Sequence, residues 1–155
     1  MRKQYYFRPS ERGLLAWDVD RLVTRTKDFP HIHIPLASIR ELDEPFCSEH
    51  EDALTWRDVV EHVRWIEEAD LKFPIILSAD GRVMDGMHRV ARAVLLGQGT
   101  IEAVQFVEDP DADYVGLRPD QLPYDEGHND QAVRPTGTIE DPHRSDKKRN
   151  LHERR

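Results

Sequence analysis

Hydrophobic and polar positions recur along this chain in two rhythms, one helical and one extended. Leu15, Val19, Leu22 and Val23 fall at i, i+4, i+7 and i+8, a helical face. Residues 1–30 therefore read as an extra, mostly helical segment. Ser10 is expected to cap a first turn and Asp18 to open a second helix, and Phe29-Pro30 stops the segment. His31-Ile32-His33-Ile34 alternates with period two, a half-buried strand closed by Pro35, and Ser38-Ile39-Arg40 reads as a short helical turn. Trp56, Val59, Val60, Val63 and Ile66 form the expected inward stripe of a helix from Thr55 to about Ala69. Pro74 to Ser78 and Arg82 to Met84 predict two strands joined by an Asp80-Gly81 turn. A helix follows Gly86, with Met87, Val90, Ala91, Val94 and Leu95 expected inside and Gly97 as its C′ residue. Ile101 to Val107 predicts a last strand, broken by Asp109-Pro110.

Composition changes this picture at one end. Across 155 residues, hydrophobic residues make up 38% and charged residues 34%, which suits one domain with a polar tail. Beyond Tyr124 the chain carries few large apolar residues. It buries too little surface to offset chain entropy, so residues 125–155 are expected to be a disordered tail. Its basic end, Lys147 to Arg155, reads as solvated or as a weak electrostatic tether. The domain proper is placed at 31–124. Residues 41–54 are acidic and irregular, with Ser48/Glu51 or Thr55/Asp58 as candidate capping boxes.

Charge narrows the partners. The formal net charge is −8, and residues 1–125 hold 15 basic against 24 acidic residues. An acidic body repels phosphate backbones, so nucleic acid is not an expected partner. A single cysteine, Cys47, excludes an internal disulfide. With no long apolar run near the start, a cytoplasmic protein without a membrane segment is the expectation.

Candidate chemistry concentrates at Asp85-Gly86-Met87-His88-Arg89, where strand turns into helix. The first N–H groups of a helix have no intrahelical partner and sit at the positive end of its dipole, so such a corner attracts anions, phosphate above all. Gly86 lets backbone approach an anion, or simply makes a tight turn. Met87 offers its N–H while its side chain packs inward. His88 and Arg89 suit phosphate oxygens, Arg through a planar two-pronged grip. Either side chain could instead bridge to the acidic loop. Asp85 is read as an ordinary N-cap or as a ligand for Mg²⁺. Arg92, three residues after Arg89, contacts phosphate or pairs with a surface carboxylate. His31 and His33 share a strand face without an evident third metal ligand. Trp56 and Trp65 read as core or edge packing.

The order of these features resembles the ParB/sulfiredoxin superfamily over roughly residues 31–107. Ile34-Pro35-Leu36-Ala37-Ser38-Ile39 is similar to that family's first strand and short helix, and the 55–69 helix, the hairpin and the corner follow in its order. ParB proteins carry Gly-Glu-Arg-Arg at the corner, where this chain has Gly86-Met87-His88-Arg89. Sulfiredoxins carry Gly-Cys-His-Arg, and Met87 stands where their thiol would be; a thioether supplies no thiolate. The free serine kinases carry Asp-Gly-His-His-Arg, matched at Asp85, Gly86, His88 and Arg89 but not at Met87.

The resemblance implies an α/β fold of the α+β kind, a small mixed sheet with helices. It also implies nucleotide binding (ATP, ADP or CTP, with Mg²⁺) at the 85–89 corner, and phosphoryl transfer or nucleotide hydrolysis as the reaction. A small-molecule hydroxyl acceptor would be the second substrate. The implied catalytic carboxylate lies after the first short helix, among Glu41, Asp43 and Glu44, with Glu44 the first choice beside Asp85. A non-catalytic nucleotide- or phosphate-sensing module is the alternative, and a ParB-like nuclease the third.

Overall fold

The computed structural model describes residues 3–45 and 54–124. The expected tail at 125–155, Cys47 and the Ser48/Glu51 box lie outside the described residues. Among the described residues the fold is α+β, with three α-helices and two small sheets.

The chain opens with strands, not helix. β1 (Tyr5–Ser10) and β2 (Gly13–Asp18) form an antiparallel hairpin pairing Tyr5 with Asp18 and Ser10 with Gly13. The expected helical face fails at Leu15, which lies on β2. Ser10 caps no helix: its hydroxyl donates to the Gly13 carbonyl at 2.7 Å and accepts from Arg12 N at 3.2 Å, closing the hairpin turn. The helical spacing holds only for Val19, Leu22 and Val23, while Tyr5, Tyr6, Phe7 and Trp17 favour a pleated, half-buried surface. Asp18 does start a helix, α1 (Val19–Thr26), by accepting from Asp20 N at 3.0 Å. Leu22 is fully buried on α1 and Val23 is exposed.

β3 (Ile32–Pro35) leads through short 3₁₀ turns at Leu36–Ser38 and Arg40–Leu42. α2 (Trp56–Glu68) begins at Thr55, whose hydroxyl accepts from Asp58 N while Asp58 accepts from Thr55 N, the expected reciprocal box. β4 (Ile75–Leu77) and β5 (Val83–Asp85) make the expected hairpin, and α3 (Met87–Leu95) follows. Gly97 holds φ +70°; its N–H reaches Val94 O and Gln98 N reaches Ala93 O, both at 3.0 Å, a Schellman ending. β6 (Thr100–Gln105) stops before Val107, which is 99% exposed, and β7 (Tyr114–Val115) pairs with β2.

One sheet is antiparallel, in order β1-β2-β7; the other is mixed, in order β3-β6-β4-β5, with β4 parallel to β6. Both faces of the mixed sheet are covered, which is why Ile75-Ile76-Leu77 is apolar without interruption. Ile75, Leu77, Val83, Ile101 and Ala103 pack with Val90 and Ala93 of α3 and with Leu36 and Ile39. Ile76, Met84, Val104 and Phe106 point the other way, onto Trp17 and Leu22. A third cluster joins Tyr5 and Ala16 to Leu122. The N-terminal hairpin and α1 thus contribute to the core on that second sheet face.

The stripe expected to face inward on α2 does so only in part: Val59 and Ile66 are half-buried, and the rest faces out. No α2 residue is fully buried, and Trp56, Val60 and Val63 are 85%, 65% and 48% exposed. Its periodicity marked an apolar face without saying what covers it. Val94 and Leu95 of α3, expected inside, are exposed as well; the buried positions are Val90 and Ala93.

Candidate functional site at the start of helix α3

The corner exists as a strand-to-helix turn, and glycine is required there. Gly86 adopts φ 107° and ψ 20° and is itself the N-cap, with no side-chain cap bond. Asp85 is therefore the last residue of β5, not the cap. A Cβ at residue 86 would lie 2.7 Å from Ile75 Cγ2 and 2.8 Å from Arg89 Nη2. The first helical bond, Val90 N to Gly86 O at 3.0 Å, leaves the N–H groups of Met87, His88 and Arg89 ahead of the intrahelical ladder. Met87 packs its thioether against the core, as expected.

Arg89 is held from within. Its Nη2 donates to Asp85 Oδ2 at 2.7 Å, both side chains are about one-fifth exposed, and its Nε is buried with no hydrogen-bond partner. The guanidinium thus lies across Gly86, where an anion was expected to rest. Asp85 orients it, and the two charges compensate each other.

His88 meets α2. Its Nε2 lies 3.4 Å from His62 Nδ1, with the two rings 21° apart in plane and 5.7 Å between centres. Trp65 stands edge-to-face with both imidazoles, at 4.9 Å from His62 and 5.5 Å from His88. Burial pushes the His88 pKa below the usual imidazole value; His62 and Arg89 push the same way, and Asp85 opposes them. His62 and Trp65 are the site residues that sequence reasoning missed. Their spacing of three on α2 was the available signal; His62 shares the half-buried side of α2 with Val59 and Ile66.

The loop carboxylates sit at the hairpin. Glu44 accepts from Arg82 Nη1 at 3.0 Å, and that bond holds its pKa below the usual carboxylate value. A carboxylate so stabilised is a weak proton acceptor. Glu41 grips β5 instead: Oε1 accepts from Val83 N at 2.9 Å, and Oε2 is buried without a hydrogen-bond partner. Asp43 is exposed. Arg92 lines a groove with Glu67, Glu68 and Asp70 at the far end of α3. His31 Nδ1 is 2.8 Å from Glu102 Oε1 across the β3–β6 pair.

The donor set does not fit a resident Mg²⁺. Asp85 is committed to Arg89 and Glu44 to Arg82. Among the described residues no three His, Cys, Asp or Glu are placed to share an ion. What the corner offers is a set of donors: backbone N–H groups, an imidazole and an anchored guanidinium. No helix among the described residues is long and apolar enough to cross a membrane. No family model matches the chain, and the searches of curated proteins and of solved structures also give no match.

Proposed function

We propose that this chain is a ParB/sulfiredoxin-like module that binds the phosphate of a nucleotide at residues 86–89. One observation carries the reading: α3 starts at a left-handed glycine without a side-chain cap, and Asp85 anchors Arg89 beside that start. Backbone N–H groups and a pre-oriented guanidinium together suit a phosphate oxygen. An incoming anion would have to draw the Arg89 guanidinium off Gly86, with Asp85 keeping it beside the helix start.

Binding without turnover is the form we favour. Phosphoryl transfer or nucleotide hydrolysis needs carboxylates available to a metal or to a proton, and both candidates, Asp85 and Glu44, are engaged by arginines. Mg²⁺ would then arrive with the nucleotide and take its ligands mainly from phosphate and water. The acidic sequence argues against a nuclease.

A thermal-shift series with ATP, ADP, CTP and sulfate tests this. A ligand that binds only the native state raises the melting point with concentration. The expected result is a rise with at least one nucleotide that Arg89→Ala removes. No shift with any of them at millimolar concentration would end the reading. Phosphate release from ATP or CTP in the presence of Mg²⁺, lost in Arg89→Ala, would restore the catalytic form.

A further inference from the structure

We propose that the outward face of α2 pairs with α2 of a second copy of this chain, running antiparallel, to form a two-fold dimer. The pairing stands whether or not the corner at Gly86 binds an anion.

α2 carries two seams. Val59, His62 and Ile66 are half-buried on the side where His62 meets His88 of α3. Trp56, Val60 and Val63 are exposed, and with Glu67 they recur at intervals of four, three and four residues. That interval is the rhythm by which one helix packs along another.

The charges beside the outer seam select the partner helix. Arg57, Glu61, Arg64 and Glu68 each follow a seam residue by one position, so they lie along a single flank. All four are exposed, and among the described residues none of them makes a salt bridge or a side-chain hydrogen bond. Turned end to end, this Arg-Glu-Arg-Glu series is its own complement. Arg57 falls opposite the partner's Glu68, and Glu61 opposite the partner's Arg64, about one midpoint between residues 62 and 63. A two-fold axis there brings the same flank of both helices together, and each contact occurs twice. Parallel pairing in register would instead set Arg57 against the partner's Arg57, which is repulsive.

The seam obeys the same reversal. Val60 meets the partner's Val63, and Trp56 meets the partner's Glu67, about a midpoint one residue earlier. One residue is about 1.5 Å of helix rise, well inside the reach of arginine and glutamate side chains. Glu67 also borders a groove at the end of α2 with Leu71, Arg92 and Leu96. The partner's Trp56 thus arrives beside apolar side chains for its ring and a carboxylate for its N–H.

Other occupants suit this face less. Two arginines and two glutamates leave the flank without net charge, whereas an anionic lipid surface calls for a basic one. An unrelated helix gives no reason for charges that read as complements when reversed. The neutral flank also spares the contact the repulsion expected between two chains of net charge −8. With 13 residues, α2 is about 20 Å long. The contact is therefore small for a stable interface, and the dissociation constant should be on the order of 10–100 μM.

Sedimentation equilibrium of the full chain from about 1 to 500 μM brackets that range. The wild type should pass from monomer to dimer. Val60→Lys should stay monomeric throughout. In dilute solution it should still unfold at the wild-type urea midpoint, because residue 60 is open to water within one chain. Arg57→Glu alone and Glu68→Arg alone should each weaken the dimer about tenfold, since each reversal turns two attractions into repulsions. Both changes suit the helix dipole, so fraying of α2 does not account for that loss. Combined in one chain, the two should restore wild-type association. Positions 57 and 68 lie about 16 Å apart along one helix, so only a second copy brings them together. A wild type that stays monomeric at every concentration overturns the proposal. So does a dimer that Val60→Lys or the single reversals leave unchanged, or one that the double reversal fails to restore.

Discussion

Gly86 is the residue on which the corner depends. Its φ of 107° lies where side chains are strained, and a methyl group there would collide with Ile75 and with the Arg89 guanidinium. Gly86→Ala should cost about 1–3 kcal/mol, read as a lower urea midpoint. Gly97→Ala is the control, because φ is also positive but nothing lies within 4 Å; about 1 kcal/mol is expected there. Arg89→Ala removes the partner of a carboxylate that is only 18% exposed. It should abolish any nucleotide-dependent shift and also lower stability, whereas Asp85→Asn should keep the fold and loosen Arg89. The turn itself was visible in the sequence, since a glycine between a strand and an apolar helical run marks a helix start. The pairing of Arg89 with Asp85 was not. Whether Arg89 faces a ligand or Asp85 depends on rotamers that spacing alone leaves open.

At the scale of elements, α2 shows where periodicity stops informing. The Thr55–Asp58 box was legible because its two bonds are local, and Thr55→Ala should destabilise the chain by about 1 kcal/mol in a denaturant titration. The apolar stripe was legible as a stripe, but its burial was not. Trp56 and Val60 are mostly exposed, so Val60→Lys should change stability by less than about 0.5 kcal/mol. Val90→Ala, in contrast, opens a fully buried position and should cost on the order of 1–3 kcal/mol. A Val60→Lys loss as large as that of Val90→Ala would show that the α2 face is covered. The N-terminal hairpin failed for a related reason. Leu15 fell at helical spacing from the three apolar residues of α1, while the alternation of its own strand was masked by Leu14 and Leu15 standing side by side.

For the whole molecule, the pH response follows from His88. Its folded pKa is depressed, so the unfolded chain binds more protons just below the ordinary imidazole value of about 6.5. The stability this neutral histidine preserves is complete above that value. It is lost as pH falls toward the depressed folded pKa. The urea midpoint should therefore drop between pH 7 and pH 5.5, and drop less in His88→Gln; an equal drop in both would remove His88 from the account. The closure of the chain gives a second handle. Leu122 packs on Tyr5 and Ala16, and the Tyr5 hydroxyl donates to the Pro123 carbonyl. Leu122→Ala should lower stability by about 2–4 kcal/mol and do so in a single cooperative transition.

Sequence alone determined what acts over a few residues: the Thr55–Asp58 and Gly97 helix ends, the Asp80-Gly81 hairpin, the apolar run of β4 and the donor-rich turn after Asp85. Each follows from hydrogen bonds or steric limits within a single turn of chain. Tertiary structure decided what needs a partner from elsewhere: β7 completing the first hairpin from a hundred residues away, the outward face of α2, Asp85 taking Arg89, and His62 reaching His88 across two helices. Those outcomes depend on which surfaces meet, and a pattern along one chain carries only the surfaces, not the meeting.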